Sequence, residues 1–179
     1  MKIAVCQYDA KWEDKEENKG RIETLLAKYP RRAEIDWLIF PEMTLSGFTM
    51  KKAVSELSAE DHAFFSGLAA EHEFNVSYGG VEKGCNNLIT LNRKGRRVNT
   101  YSKIHLYAFG GEDKEYKAGA GLEVFELDGL RVAPAVCFDL RFPYLFWNRA
   151  EKADIYVVIA AWPKKRAEHW MTLLRARAV

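Results

Sequence analysis

The rhythm of apolar positions changes several times along the chain. IAVCQ (3–7) is a short continuous apolar run and predicts a buried first strand. Between Asp14 and Tyr29, Ile22, Leu25, Leu26 and Tyr29 recur at helical spacing among charged residues. This predicts an amphipathic helix that Pro30 stops. IDWLIF (35–40) is again nearly all apolar and predicts a strand ending at Pro41. The stretch from Ser58 to Asp61 has the form of a capping box. It opens a helix running towards Glu73, with Phe64, Phe65, Leu68 and Ala69 on one side.

The period then drops to two. NVSYGGVE, NNLITLN and RVNTYSK predict three short strands, and Arg93-Lys94-Gly95 supplies the turn between the last two. LEVFEL and LRVAPAVC flank Asp128-Gly129, a two-residue hairpin signal. Pro134 cannot donate to a strand ladder, so a bulge or an unpaired edge is expected there. A helix is expected after Pro143, then a buried strand in DIYVVIAA (154–161), then a helix from near Lys165 that is still running at Val179. This order implies helices packed on sheets, an α+β class, and the hairpin signals exclude a purely doubly wound sheet. No repeat or linker divides the chain, so residues 1–179 read as a single domain. RARAV carries no helix stop, so the chain reads as cut inside a helix and the domain as C-terminally incomplete.

Composition narrows the classes. Hydrophobic residues make up 48% and charged residues 29%, which excludes a disordered chain. Lys plus Arg number 27 against 25 Asp plus Glu, a net charge of +2 that gives no case for a nucleic-acid partner. No apolar run reaches membrane-spanning length, and MKIAVCQYDAKWED turns polar too early for a secretory signal. Cys6, Cys85 and Cys137 form no paired or metal-ligating spacing, and the four histidines show none either. The expectation is reduced thiols in a cytoplasmic protein, with no metal site.

Three residues stand just past predicted strands: Glu42 after IDWLIF, Lys103 after VNTYS and Cys137 after LRVAPAV. A cysteine nucleophile needs a base, a positive group for the oxyanion and a water-poor pocket. If the three strands are neighbours, this carboxylate, ammonium and thiol converge. Each residue also has an ordinary reading: a solvated carboxylate, an edge lysine, an inert core cysteine. Cys6 and Cys85 lack such a setting and read as structural. Lys164-Lys165-Arg166 reads as a solvated helix start.

FPEMTLSGF (40–48), YSKIHLYAFGGEDKEYKAG (101–119) and VCFDLRFPYLFWN (136–148) closely resemble the three signature regions of the nitrilase superfamily of carbon–nitrogen hydrolases. AAWPKKRAEHWMTLLRARAV (160–179) resembles the segment that follows them. The combination looks most like the omega-amidase branch, which hydrolyses the side-chain amides of 2-oxo acids such as 2-oxoglutaramate and 2-oxosuccinamate. Other substrates of the superfamily (nitriles, carbamoyl compounds, other amides) stay open, as does a non-catalytic fragment that keeps the fold. The resemblance implies a four-layer α-β-β-α sandwich, of which this chain would hold the N-terminal two-thirds, and a homodimer or higher homo-oligomer.

The resemblance also implies a Glu42–Lys103–Cys137 triad and a second glutamate, Glu112 by spacing or Glu115 as the alternative. In that reading the backbone N–H of Phe138 and the Lys103 ammonium hold the oxyanion, and Lys103 favours the Cys137 thiolate. No cofactor is required, and the partner is a small-molecule amide. Phe48, Tyr107 and Trp162 are candidate pocket walls. Asp139 and Arg141 are expected either as an ion pair shaping the turn or, for Arg141, as a substrate contact. The sequence does not point to the group that would hold a substrate carboxylate.

Overall fold

The computed structural model describes all 179 residues. In chain order the elements are β1 (Ile3–Val5), α1 (Lys15–Lys28), β2 (Trp37–Ile39), α2 (Lys52–Ser55), α3 (Ala59–His72), β3 (Asn75–Glu82), β4 (Cys85–Leu91), β5 (Arg97–Ser102), α4 (Glu112–Glu115), β6 (Phe125–Leu127), β7 (Leu130–Val136), α5 (Pro143–Trp147), β8 (Ile155–Ile159) and α6 (Ala167–Ala178). Two sheets form. One has the order β1-β2-β3-β4-β5, parallel through β3 and antiparallel beyond it. The other is β6-β7-β8, with β6 and β7 antiparallel and β7 and β8 parallel.

Strand alternation sorts the side chains into layers. On β2 and β3, Leu38, Val76 and Tyr78 face one way and join Ile22 and Leu26 of α1 and Phe65, Leu68 and Ala69 of α3. The opposite face carries Trp37, Ile39, Leu88 and Tyr101, which meet Val132, Val136, Val157 and Ile159 of the second sheet. The outer face of that sheet, through Ala135, Tyr156 and Val158, packs on Leu145 and Phe146 of α5 and on Trp170, Leu173 and Leu174 of α6. The result is helices, sheet, sheet, helices, the four-layer sandwich expected from the resemblance.

Local chemistry accounts for several boundaries. Ser58 Oγ accepts from Asp61 N at 3.2 Å while Asp61 Oδ2 accepts from Ser58 N at 3.0 Å, the capping box read in the sequence. Asp61 is also held by Lys15 at 2.7 Å and Lys19 at 2.9 Å, which ties α1 to α3. Asp128 and Gly129 both take positive φ, 48° and 79°, as a two-residue hairpin turn demands. Pro143 occupies the first turn of α5, where its missing N–H costs nothing.

Two expectations are revised. β1 is largely exposed rather than buried: it lies at the rim of its sheet, with Val5 75% accessible. On α1 only Ile22 and Leu26 of the four apolar positions are buried. Leu25 and Tyr29 face outwards, because Asn18 takes the third place on the inner face. Asn18 Nδ2 donates to Lys11 O and Leu45 O, and this ties the helix to the loop after β2. Pro134 takes the second of its two expected forms, an unpaired edge without a bulge: β7 and β8 stay in register through it. Its polar edge faces away from β8, past the end of β6. There its carbonyl accepts from Arg149 Nη1 at 2.7 Å.

One close approach in the first sheet positions a later turn. A methyl on Gly79 of β3 would come within 2.6 Å of Met43 N and 2.7 Å of Glu42 Cα. The turn after β2 therefore rests directly on β3, and Thr44 pins it: Thr44 N donates to Gly79 O at 2.9 Å, and Gly79 N donates to Thr44 Oγ1 at 3.0 Å. Gly79→Ala is expected to lift this turn and cost about 1–3 kcal/mol of stability, as overpacking does. A lowered thermal midpoint, measured by circular dichroism, checks it; an unchanged midpoint would refute the packing argument.

Candidate active site

Lys103 follows β5 with the same strand parity as Tyr101, so its side chain enters the space between the sheets. Asn86 on β4 shares parity with Leu88 and enters the same space. At this end the apolar core gives way to a buried polar cluster. Lys103 Nζ lies 2.9 Å from Glu42 Oε1, and 3.0 Å and 2.8 Å from the two oxygens of Glu112. Asn86 Nδ2 donates to both carboxylates, at 2.8 Å and 2.7 Å. The backbone N–H of Ala161, just past β8, donates to Glu42 Oε2 at 2.9 Å, and that of Tyr107 donates to Glu112 Oε2 at 2.6 Å. Lys103 and Glu112 are fully buried, and Glu42 nearly so.

The strands that carry these residues are not sheet neighbours, contrary to the condition set by the sequence. β3 and β4 separate β2 from β5, and β7 belongs to the other sheet. Convergence happens across the sandwich instead. Glu112, rather than Glu115, meets the lysine; Glu115 sits 3.5 Å from Lys52.

Cys137 begins a short 3-10 segment, Cys137–Arg141, directly at the end of β7. Its φ is +48°, a left-handed conformation that strains a non-glycine residue by about 1–3 kcal/mol. Asp139 holds this turn. Its fully buried carboxylate accepts from Val136 N at 3.1 Å, Tyr101 Oη at 2.9 Å and His105 N at 2.8 Å, with His105 Nδ1 at 3.0 Å. The His105 ring stacks on Phe142, their centroids 3.5 Å apart. The expected Asp139–Arg141 ion pair does not form. Asp139 is already saturated by these donors, and Arg141 instead lies over the rings of Trp162 and Phe138, at 5.0 Å and 5.9 Å.

Electrostatics revise one further expectation. Burial pushes the Cys137 thiol well above its ordinary value, and the adjacent Glu42 carboxylate pushes the same way; together they outweigh Lys103. Burial first, and then the two carboxylates that the one ammonium already faces, favour the neutral thiol at rest. For Glu42, burial alone would raise the carboxyl. The Lys103 charge, its hydrogen bond and the Ala161 and Asn86 donors override that and hold it below the usual carboxylate range. For Lys103, burial alone would lower the ammonium, but Glu42, Cys137 and Glu112 raise it instead. A carboxylate next to a thiol can accept its proton, and an ammonium at the same point can meet negative charge that develops on a bound carbonyl.

A small, largely apolar cavity opens on Cys137. Phe48, Tyr107, Phe138, Arg141, Ala161, Trp162, Pro163 and Arg166 complete its lining. All the wall candidates read from the sequence therefore reach it. Lys103 Nζ also sits 5.5 Å from the Phe48 ring centre. Sequence reasoning missed Asn86, which had no signal beyond its place in a strand. It missed the His105–Asp139 pair, whose members are 34 residues apart. It also placed Arg166 in a solvated basic cluster, whereas the side chain turns into the cavity.

The carbon-nitrogen hydrolase family model matches residues 2–179. The chain belongs to the carbon–nitrogen hydrolase family. It is 34% identical to an omega-amidase, YafV, of Escherichia coli (strain K12) across 100% of this chain and 70% of the relative. It is 28% identical to a 2-oxoglutaramate amidase of Bacillus subtilis (strain 168) across 99% of this chain and 71% of that one. Among solved structures it resembles a CN-hydrolase superfamily protein of Xanthomonas campestris, with a TM-score of 0.90 and 30% identity over 99% of this chain and 71% of that one. For this carbon–nitrogen hydrolase the raised thiol has a measurable consequence. Alkylation of Cys137 by iodoacetamide, followed by mass spectrometry, is expected to accelerate steadily with no plateau up to about pH 9. Glu42→Gln removes a negative neighbour, so the profile is expected to shift to lower pH. A plateau near neutral pH in the unaltered protein would refute the neutral thiol.

Proposed function

We propose that the protein hydrolyses the side-chain amide of a small 2-oxo acid, such as 2-oxoglutaramate or 2-oxosuccinamate, to the acid and ammonia. The observation that carries this reading is the buried Glu42–Lys103–Glu112 cluster abutting the strained Cys137 turn. The names of its relatives supply the substrate class.

Glu42 takes the thiol proton as the Cys137 sulfur attacks the amide carbon. Proton loss and attack proceed together, because a free thiolate is disfavoured beside two carboxylates. The oxyanion forms against the Lys103 ammonium and the backbone N–H of Phe138, which lies in the first turn of the 3-10 segment and has no partner one turn back. Glu42 returns its proton to the leaving nitrogen, ammonia departs, and a thioester remains. Water then gives its proton to Glu42 and attacks the thioester, releasing the acid and restoring the thiol. Glu112 fixes the Lys103 ammonium, and Asn86 holds the two carboxylates apart at their set distance.

Cys137→Ala is expected to abolish ammonia release from 2-oxoglutaramate in a glutamate-dehydrogenase-coupled assay. Glu42→Gln is expected to slow turnover by about 10²–10⁴ even though it makes the thiol easier to ionise. Turnover by Cys137→Ala would sink the nucleophile assignment. Turnover of nitriles but not of 2-oxo acid amides would sink the substrate class.

The reading extends to a homodimer in a reducing, cytoplasmic setting. Three unpaired cysteines support the compartment. Trp147 on α5, 81% accessible, and Met171 on α6, 49% accessible, support self-association through the outer helical layer. Trp147→Glu is expected to lower the sedimentation mass towards one chain; a mass already that of one chain in the unaltered protein would refute the dimer.

A further inference from the structure

The cavity beside Cys137 contains two guanidinium groups with no carboxylate partner, those of Arg141 and Arg166. Arg21, Arg31, Arg93, Arg97 and Arg131 each lie against a carboxylate, and the buried Arg149 donates to two backbone carbonyls. Arg166 reaches only the neutral phenol of Tyr107, with both terminal nitrogens 3.3 Å from Tyr107 Oη, and its Nε is buried without a partner. Arg141 rests on the face of Trp162, and its one polar side-chain contact is His169 Nδ1 at 3.4 Å. Guanidinium donors form a planar fork that matches a carboxylate in two parallel bonds. Charge in the pocket is thus polarised, with carboxylates behind the nucleophile and unpaired cations on the open side.

We propose that Arg166, with Arg141 beside it, is the carboxylate-reading pair of this pocket and selects small amides that carry an acid at the end remote from the scissile bond. The inference deepens the amidase reading above and rests on it for the identity of the nucleophile. Tyr107 links the two ends of the pocket: its phenol accepts from Arg166, and its backbone N–H donates to Glu112. An anion drawn to Arg166 therefore settles against the same residue that helps hold the Lys103 cluster.

Iodoacetate and iodoacetamide test this without turnover, since they share a leaving group and reaction centre and differ in charge. The ratio of their alkylation rates at Cys137, read by mass spectrometry, cancels any change in thiol ionisation. Arg166→Gln is expected to reduce the iodoacetate-to-iodoacetamide ratio about tenfold or more, and Arg166→Lys to restore part of it. A second arm uses the unaltered protein. Glutarate is expected to protect Cys137 from iodoacetamide at concentrations where the neutral glutaramide does not. An unchanged ratio in a folded Arg166→Gln, or equal protection by the two compounds, would overturn the proposal. Because neither arm requires hydrolysis, a protein that fails to turn over 2-oxoglutaramate yet passes both would overturn the substrate and keep the anion pair.

Discussion

One ammonium buried between two carboxylates constrains everything around it. Removing each ion from water costs several kcal/mol, and that is recovered only where every lone pair and proton has a partner. The partners of Lys103 and Glu42 come from the turn after β2, from β4, from the loop after β5, from α4 and from the backbone after β8. No one element could hold the cluster. Both counter-charges of the lysine come from segments that follow strands of the first sheet, and stacking the second sheet adds the Ala161 N–H that completes Glu42, so the site and the sandwich stabilise each other.

The cysteine turn imposes the opposite demand. Cys137 is held in an unfavourable backbone conformation and presses a thiol against a carboxylate that disfavours its ionisation. Asp139 offsets the strain by gathering donors from β5, from the segment after Lys103 and from the end of β7. The same residue thus fastens the nucleophile turn to the strand that delivers the lysine. A sulfur kept protonated at rest is protected from adventitious oxidation and alkylation, which act on the thiolate.

Position along the sandwich explains why chemistry gathers at one end. Leu88 and Tyr101 belong to the inter-sheet core, and two residues further along their strand faces stand Asn86 and Lys103. Parity carries these polar side chains into the same layer, just where apolar filling ends. The close approach of Gly79 to the Glu42 turn sets the height at which the base enters.

Much of this was legible in the sequence because it is local. The capping box at Ser58, the Asp128-Gly129 turn, the period-two strands and the positions of Glu42, Lys103 and Cys137 past strand ends each depend on a few adjacent residues. Their resemblance to known signature segments gave them a joint meaning that none had alone. Tertiary structure decided the rest. Glu42 and Lys103 are 61 residues apart and sit past strands of one sheet that β3 and β4 separate, so only the assembled sheet brings them within 2.9 Å, and only the stacking of the second sheet brings Cys137 to them. Whether Lys103 would ionise the thiol depended on a sum of burial and like charge that no spacing reports. Asp139 and Arg141 looked like a pair because they are close in sequence. The fold parted them, since a buried carboxylate takes the donors that a neighbouring strand and loop bring to it, and a guanidinium takes the aromatic faces left open in the cavity.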